Sequence, residues 1–313
     1  MKYRNNLPQI SGKRFLTDGG LETVLIFLDG IELPGFSSIS MVSTQEKRNH
    51  LHNYLKPFVE LALNNKVGFV LESPTWRSSH GWAEEIEQTT DELDRLNRRA
   101  IEFLQELRGQ YETDDTPIVV SGCIGPRGDG YVVSDAMSVD EATLYHSQQI
   151  NLLADSGIDC VSAFTLNYVA EAAGVALAAR AASVPSVISF TVETDGKLVT
   201  GETLADAIGQ VEDLTGDAPA YYMINCAHPT HFESALDTLG ELVSRIGGLR
   251  ANASKCSHEE LDNSDELDIG DPDEFGRDYQ RIIDKYPHIS VLGGCCGTDI
   301  RHIEAIAHYQ FGA

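Results

Sequence analysis

The sequence predicts an α/β chain closed into a (β/α)₈ barrel, and three observations carry that expectation. Eight short apolar or β-branched runs alternate with longer segments of helical periodicity along 313 residues. That alternation calls for parallel strands joined by helical crossovers, and eight such units in roughly 300 residues match a closed barrel. The first strand runs into Asp18-Gly19-Gly20-Leu21-Glu22. That is not the GxGxxG turn an open, doubly wound dinucleotide-binding sheet would place there. No linker or low-complexity tract interrupts the pattern, so one domain is expected over residues 1–313.

The expected strands are Arg14–Asp18, Val67–Ser73, Pro117–Gly122, Ile158–Phe164, Ser186–Thr191, Tyr221–Cys226, Gly248–Asn252 and Ile289–Gly293. Helices are expected over Thr44–Asn65, Thr89–Tyr111, Val139–Ser156, Tyr168–Ala182, Thr203–Gly216, Thr230–Arg245 and Asp271–Lys285. In Ser138-Val139-Asp140-Glu141 the acids fall in a first helical turn, where they offset the dipole and cap free amides. The Ala-rich helix Tyr168–Ala182 carries Gly174 as its weak point.

Composition narrows the function classes. Hydrophobic residues make up 42% and charged residues 23%, enough to bury a full core. The formal charge is −25, with 48 acidic against 23 basic side chains. Such a chain lacks the basic face that nucleic acid or an anionic membrane surface requires. No apolar run approaches the roughly 20 residues of a membrane span, and the N-terminus shows no signal-peptide pattern. The reading is a cytoplasmic protein with small-molecule partners; its oligomeric state is not legible. Six cysteines without a secretion signal are not a disulfide framework, and Cys295 and Cys296 are adjacent, too close to pair comfortably.

In a barrel, chemistry belongs at the carboxyl ends of the strands. Four of those ends are unusual: Asp18-Gly19-Gly20, Gly122-Cys123-Ile124-Gly125-Pro126, Asn225-Cys226-Ala227-His228-Pro229 and Gly293-Gly294-Cys295-Cys296-Gly297-Thr298. Cys226 and Cys295 lie about two βα units apart, within reach across a barrel mouth. Glycines around Cys295-Cys296 permit irregular backbone that would let both sulfurs face one point. Three thiolates at an open mouth suit tetrahedral Zn²⁺ with one free position. The competing reading is buried cysteine as a small hydrophobe.

These motifs together resemble the zinc-dependent homocysteine S-methyltransferase family, in order and spacing, from about Arg14 to Ala307. The resemblance implies a (β/α)₈ barrel in which Cys226, Cys295 and Cys296 hold Zn²⁺. It implies methyl transfer to a thiol acceptor, homocysteine, giving methionine. The donor is expected to be a small sulfonium or quaternary amine, such as S-methylmethionine or betaine. A thiol is mostly protonated at neutral pH, and zinc would favour the thiolate that attacks the methyl carbon. Asp18 matches the acid that holds the acceptor's amino group in the family. The expected substrate contacts are Asp18, Gly19, Glu72, Thr75, Trp76, Phe164 and Asn225, with Trp76 either facing the cation of the donor or packing as a core tryptophan.

One departure stands out. The family's fourth strand carries Glu five residues after Asp159, and this chain has Phe164. Either another carboxylate replaces the lost charge, Glu72 or Glu193, or the acceptor has no amino group there. A non-catalytic zinc or redox-sensing barrel, and an isomerase or aldolase gripping phosphate at Gly293-Gly294, are the other readings. His228 is expected to cap or pack, and the acidic stretch around 254–272 to form a surface insertion or lid.

Overall fold

The structure, a computed structural model, describes residues 1–264 and 266–312. Eight parallel strands close into a barrel in sequence order: β1 Phe15–Leu16, β2 Gly68–Glu72, β3 Ile118–Ile124, β4 Cys160–Leu166, β5 Ser186–Phe190, β6 Pro219–Asn225, β7 Ile246–Ala251 and β8 Val291–Gly294. Pairing of β1 with both β2 and β8 makes the closure. All eight expected strands are present, with ends displaced by a few residues. β1 is the shortest, although backbone bonds to β8 continue through Thr17 N to the Leu292 carbonyl and Gly294 N to the Asp18 carbonyl.

Alternation along the strands sorts the core into two shells. Phe15, Val70, Val119, Cys160, Val187, Met223 and Val291 pack together inside the barrel. Leu16, Phe69, Leu71, Val120, Val161, Ile188, Ile224, Leu249 and Leu292 belong to the larger cluster beneath the helices. The amino-terminal segment closes the far end: the amides of Lys2 and Tyr3 donate to Asp159 Oδ1, and Ser290 Oγ donates to the Gln9 carbonyl.

Ser138 caps the helix Val139–Asp155 in a full capping box with Glu141, as the sequence reading expects. Two expectations are corrected. The helix expected over Thr230–Arg245 ends at Thr238, and a 3₁₀ turn covers Gly240–Arg245, because Gly240 is in the left-handed region (φ +57°). Gly174 is not a weak point: a Cβ there would lie 2.4 Å from Ala142 Cβ, so its absence lets two helices touch. A final helix, Ile300–Phe311, completes the eighth unit, and no described helix is long and apolar enough to cross a membrane.

Candidate metal centre

Cys226 follows the last residue of β6, and Cys295 and Cys296 follow the last residue of β8. Their three sulfurs lie within 4.8 Å of one another, Cys226 buried and the other two partly open to the cavity. This is the spacing and donor set of a thiolate metal centre that leaves one position for a ligand. The backbone is bent to make it. Cys226 (φ +53°), after β6, and Thr165 (φ +61°), near the end of β4, both sit in the left-handed region, a cost of about 1–3 kcal/mol each that gathers at functional sites. Asn225 secures the bend: its Oδ1 accepts from the Thr165 amide (2.9 Å) and Ser189 Oγ (2.6 Å), and its Nδ2 donates to Thr165 Oγ1 (2.9 Å).

The glycines act mainly through space. A Cβ on Gly294 would lie 2.0 Å from Thr298 Oγ1, and one on Gly293 1.8 Å from Thr17 Oγ1. Only Gly297 (φ +78°) supplies the irregular angle expected of that run. Without metal, hydrogen bonds from Cys295 and Cys296, then Tyr131 and Thr165, hold the Cys226 thiol well below its ordinary pKa.

The sulfurs open onto a cavity of about 450 Å³ at the carboxyl end of the barrel. Asp18, Gly19, Glu72, Trp76, Phe164 and Asn225 all line it. Thr75 does not: it is fully buried, its Oγ1 donating to the Cys123 carbonyl (2.6 Å), so the structure places this expected contact in the wall. The Asn225 amide bonds Thr165 and Ser189, and its Nδ2 also donates to Cys295 Sγ (4.0 Å), so it holds the sulfur cluster in place while lining the cavity. Trp76 donates Nε1 to the Phe164 carbonyl (3.2 Å), and the Arg77 guanidinium stacks on its ring at 4.8 Å, so one ring face already carries a cation. Glu72 points inward beside Ser121 and Ser162, its buried Oε2 without a hydrogen-bond partner among the described residues, and burial pushes its carboxyl up to about 7. Glu193, by contrast, pairs with His258 Nδ1 (3.0 Å).

The family profile for homocysteine S-methyltransferase matches residues 15–309. The chain belongs to the homocysteine S-methyltransferase family. It is a methyltransferase with a thiol acceptor, and its three-cysteine centre fits the Zn²⁺ of this family. Selenocysteine Se-methyltransferase of Brassica oleracea var. italica is 23% identical over 95% of this chain and 88% of that protein. Homocysteine S-methyltransferase 2 of Arabidopsis thaliana is 23% identical over 69% of this chain and 71% of that protein. The metallated form of the homocysteine methyltransferase MmuM from Escherichia coli shares the fold, with a TM-score of 0.69 at 19% identity over 94% of this chain and 95% of that one.

Within the homocysteine S-methyltransferase frame, the structure adds residues that the sequence reading passed over. Arg250, near the end of β7, is almost fully buried and donates Nη2 to Asp18 Oδ1 (2.8 Å) and the Gly19 carbonyl (3.0 Å), and Nε to the Gly294 carbonyl (3.0 Å). Burial opposes its charge, and Asp18 and Glu72 more than offset that. Tyr131 stacks on His258 at 4.0 Å and reaches the sulfurs from the loop after β3. Tyr54 donates to Asp18 Oδ2 (3.3 Å). None stands in a motif; only the alternation of β7, which turns Arg250 inward with Gly248, could have flagged one of them. His228 caps the helix Pro229–Thr238 through Nδ1, as expected. Ser254, His258, Leu261 and Asp268 of the acidic stretch line the cavity; Asp265 of that stretch lies outside the described residues.

Proposed function

We propose that the chain methylates homocysteine, using a small sulfonium donor such as S-methylmethionine. The observation that carries this is the convergence of Cys226, Cys295 and Cys296 on one point of a cavity lined by Asp18 and Glu72. Bound zinc supplies Lewis acidity that favours the thiolate form of an acceptor at neutral pH. Asn225, Thr165 and Ser189 hold the Cys226 strand end in its bent form. The cavity's carboxylates favour a cationic donor, whose reaction with a thiolate leaves a neutral thioether. Glu72, which lines the cavity, takes the acceptor's ammonium in place of the acid lost at Phe164. Asp18 sets the geometry through its ion pair with Arg250. Tyr131 with Ser254, His258, Leu261 and Asp268 of the acidic stretch lines the cavity, and these residues limit the water that competes for the methyl group. Three free thiols at one centre suit a reducing cytoplasm.

A screen of zinc-loaded protein tests this reading, pairing S-methylmethionine or betaine with homocysteine or simple alkanethiols and identifying products by mass spectrometry. Methionine from S-methylmethionine and homocysteine is the expected product. Transfer to no thiol with either donor would overturn the proposal.

A further inference from the structure

A guanidinium inside the barrel mouth is the least expected feature of this site, because an acceptor recognised only through its ammonium gives a cation nothing to do there. Arg250 is 8% exposed, yet it lines the cavity. Its Nε and Nη2 are committed to Gly294, Asp18 and Gly19, which fix the plane of the group. Nη1 takes part in none of those bonds. The guanidinium carbon lies over the Phe164 ring, 5.1 Å from its centroid. Phe164 therefore does two things: it removes an acid, and it supports a cation. The Gly294 carbonyl that accepts from Nε belongs to the residue next to Cys295, so the guanidinium lies beside the sulfur cluster. The charge pattern at this end of the barrel is a fixed Arg250–Asp18 pair with Glu72 unpaired nearby.

We propose that Arg250 binds the carboxylate of the acceptor thiol through its free Nη1 edge, which makes it the specificity residue that selects carboxylate-bearing thiols. The proposal rests on the function argued above and names the acceptor group that Arg250 reads. A planar guanidinium held on two sides and stacked on a ring is already oriented for a carboxylate, so little side-chain freedom is lost on binding. Glu72 lines the same cavity and acts electrostatically on Arg250, so the two charges match the two ends of an α-amino acid. A thiol with the carboxylate but no amino group keeps the Arg250 contact.

The test compares 4-(methylthio)butyrate with its uncharged analogue 4-(methylthio)butanol, and the corresponding thiols 4-mercaptobutyrate and 4-mercaptobutanol. Calorimetric binding of the thioethers reads recognition without requiring turnover. Wild-type protein should bind the carboxylate about 10- to 100-fold more tightly than the alcohol, the range of a hydrogen bond to a charged group. The same ratio should hold in kcat/KM for the thiols. R250M should collapse both ratios towards one, and R250K should restore part of them. A ratio cancels any loss common to both ligands, so a general disturbance of the mouth cannot imitate the result. Equal binding of acid and alcohol by the wild type, or an undiminished ratio in R250M, would overturn the assignment. Methyl transfer to 4-mercaptobutanol with no carboxylate preference would sink Arg250 alone; transfer to no thiol would sink the function.

Discussion

Glu72→Gln is the substitution that separates an ammonium-binding site from a mere methyl-transfer cavity. Gln keeps the shape and removes the charge. Glu72 lines the cavity with its Oε2 unpaired among the described residues; Ser121 and Ser162 beside it are neutral, and Arg250 and Asp18 act on its charge with opposite sign. An ammonium placed there in the wild type gains a charge-assisted hydrogen bond worth about 1.5–3 kcal/mol. Its loss should lower kcat/KM for homocysteine about tenfold or more, while a simple alkanethiol falls far less. The pH profile gives an independent readout. Burial raises this carboxyl from 4.5 to about 7, so at pH 6 most free enzyme carries the neutral form and meets an ammonium poorly. The ratio of kcat/KM for homocysteine to that for the alkanethiol should rise through pH 7 and level off above it, and Glu72→Gln should flatten it. The same shift bears on stability. A carboxyl whose folded pKa exceeds its unfolded value costs nothing at low pH and destabilises progressively as pH rises from about 4.5 to 7. Glu72→Gln should therefore gain on the order of 1–3 kcal/mol relative to wild type between pH 4 and pH 8, read from urea midpoints. A homocysteine-to-alkanethiol ratio that is unchanged in magnitude and pH dependence would refute the assignment.

Other consequences are measurable with standard variants. Cys226→Ser, Cys295→Ser and Cys296→Ser should each lose the zinc carried by the wild type, about one per chain, while far-ultraviolet dichroism shows an intact barrel; full zinc in all three would refute the ligand set. Trp76→Ala should raise the donor's KM several-fold to thirtyfold and the acceptor's less, since a cation over an aromatic ring is worth roughly 0.5–2 kcal/mol; equal effects would assign Trp76 to packing against Arg77. Gly294→Ala should cost about 1–3 kcal/mol of stability and weaken zinc binding, because its methyl collides with Thr298 beside Cys295; wild-type zinc affinity would contradict the close approach.

The strands and most helices were legible because their periodicity and caps are local properties, as Ser138 with Glu141 shows. The cysteine cluster was legible because Cys226 and Cys295-Cys296 stand at strand ends in distinctive surroundings. What the sequence hid was pairing across the barrel. Arg250 and Asp18 are 232 residues apart, and nothing local to either announces their ion pair. Phe164 read as a lost acid, whereas in space it is the platform for Arg250. Thr75 is an expected substrate contact, but its hydroxyl turns to the Cys123 carbonyl. Gly174 read as a flaw in helix propensity, because propensity says nothing of the Ala142 face packed against it.

X-ray absorption at the zinc edge, recorded on the loaded protein with and without homocysteine, tests the central claim most directly. The account predicts three sulfur ligands at about 2.3 Å plus one lighter atom in the resting protein, and four sulfurs once homocysteine is added. A shell dominated by nitrogen and oxygen, or one that homocysteine leaves unchanged, would contradict it.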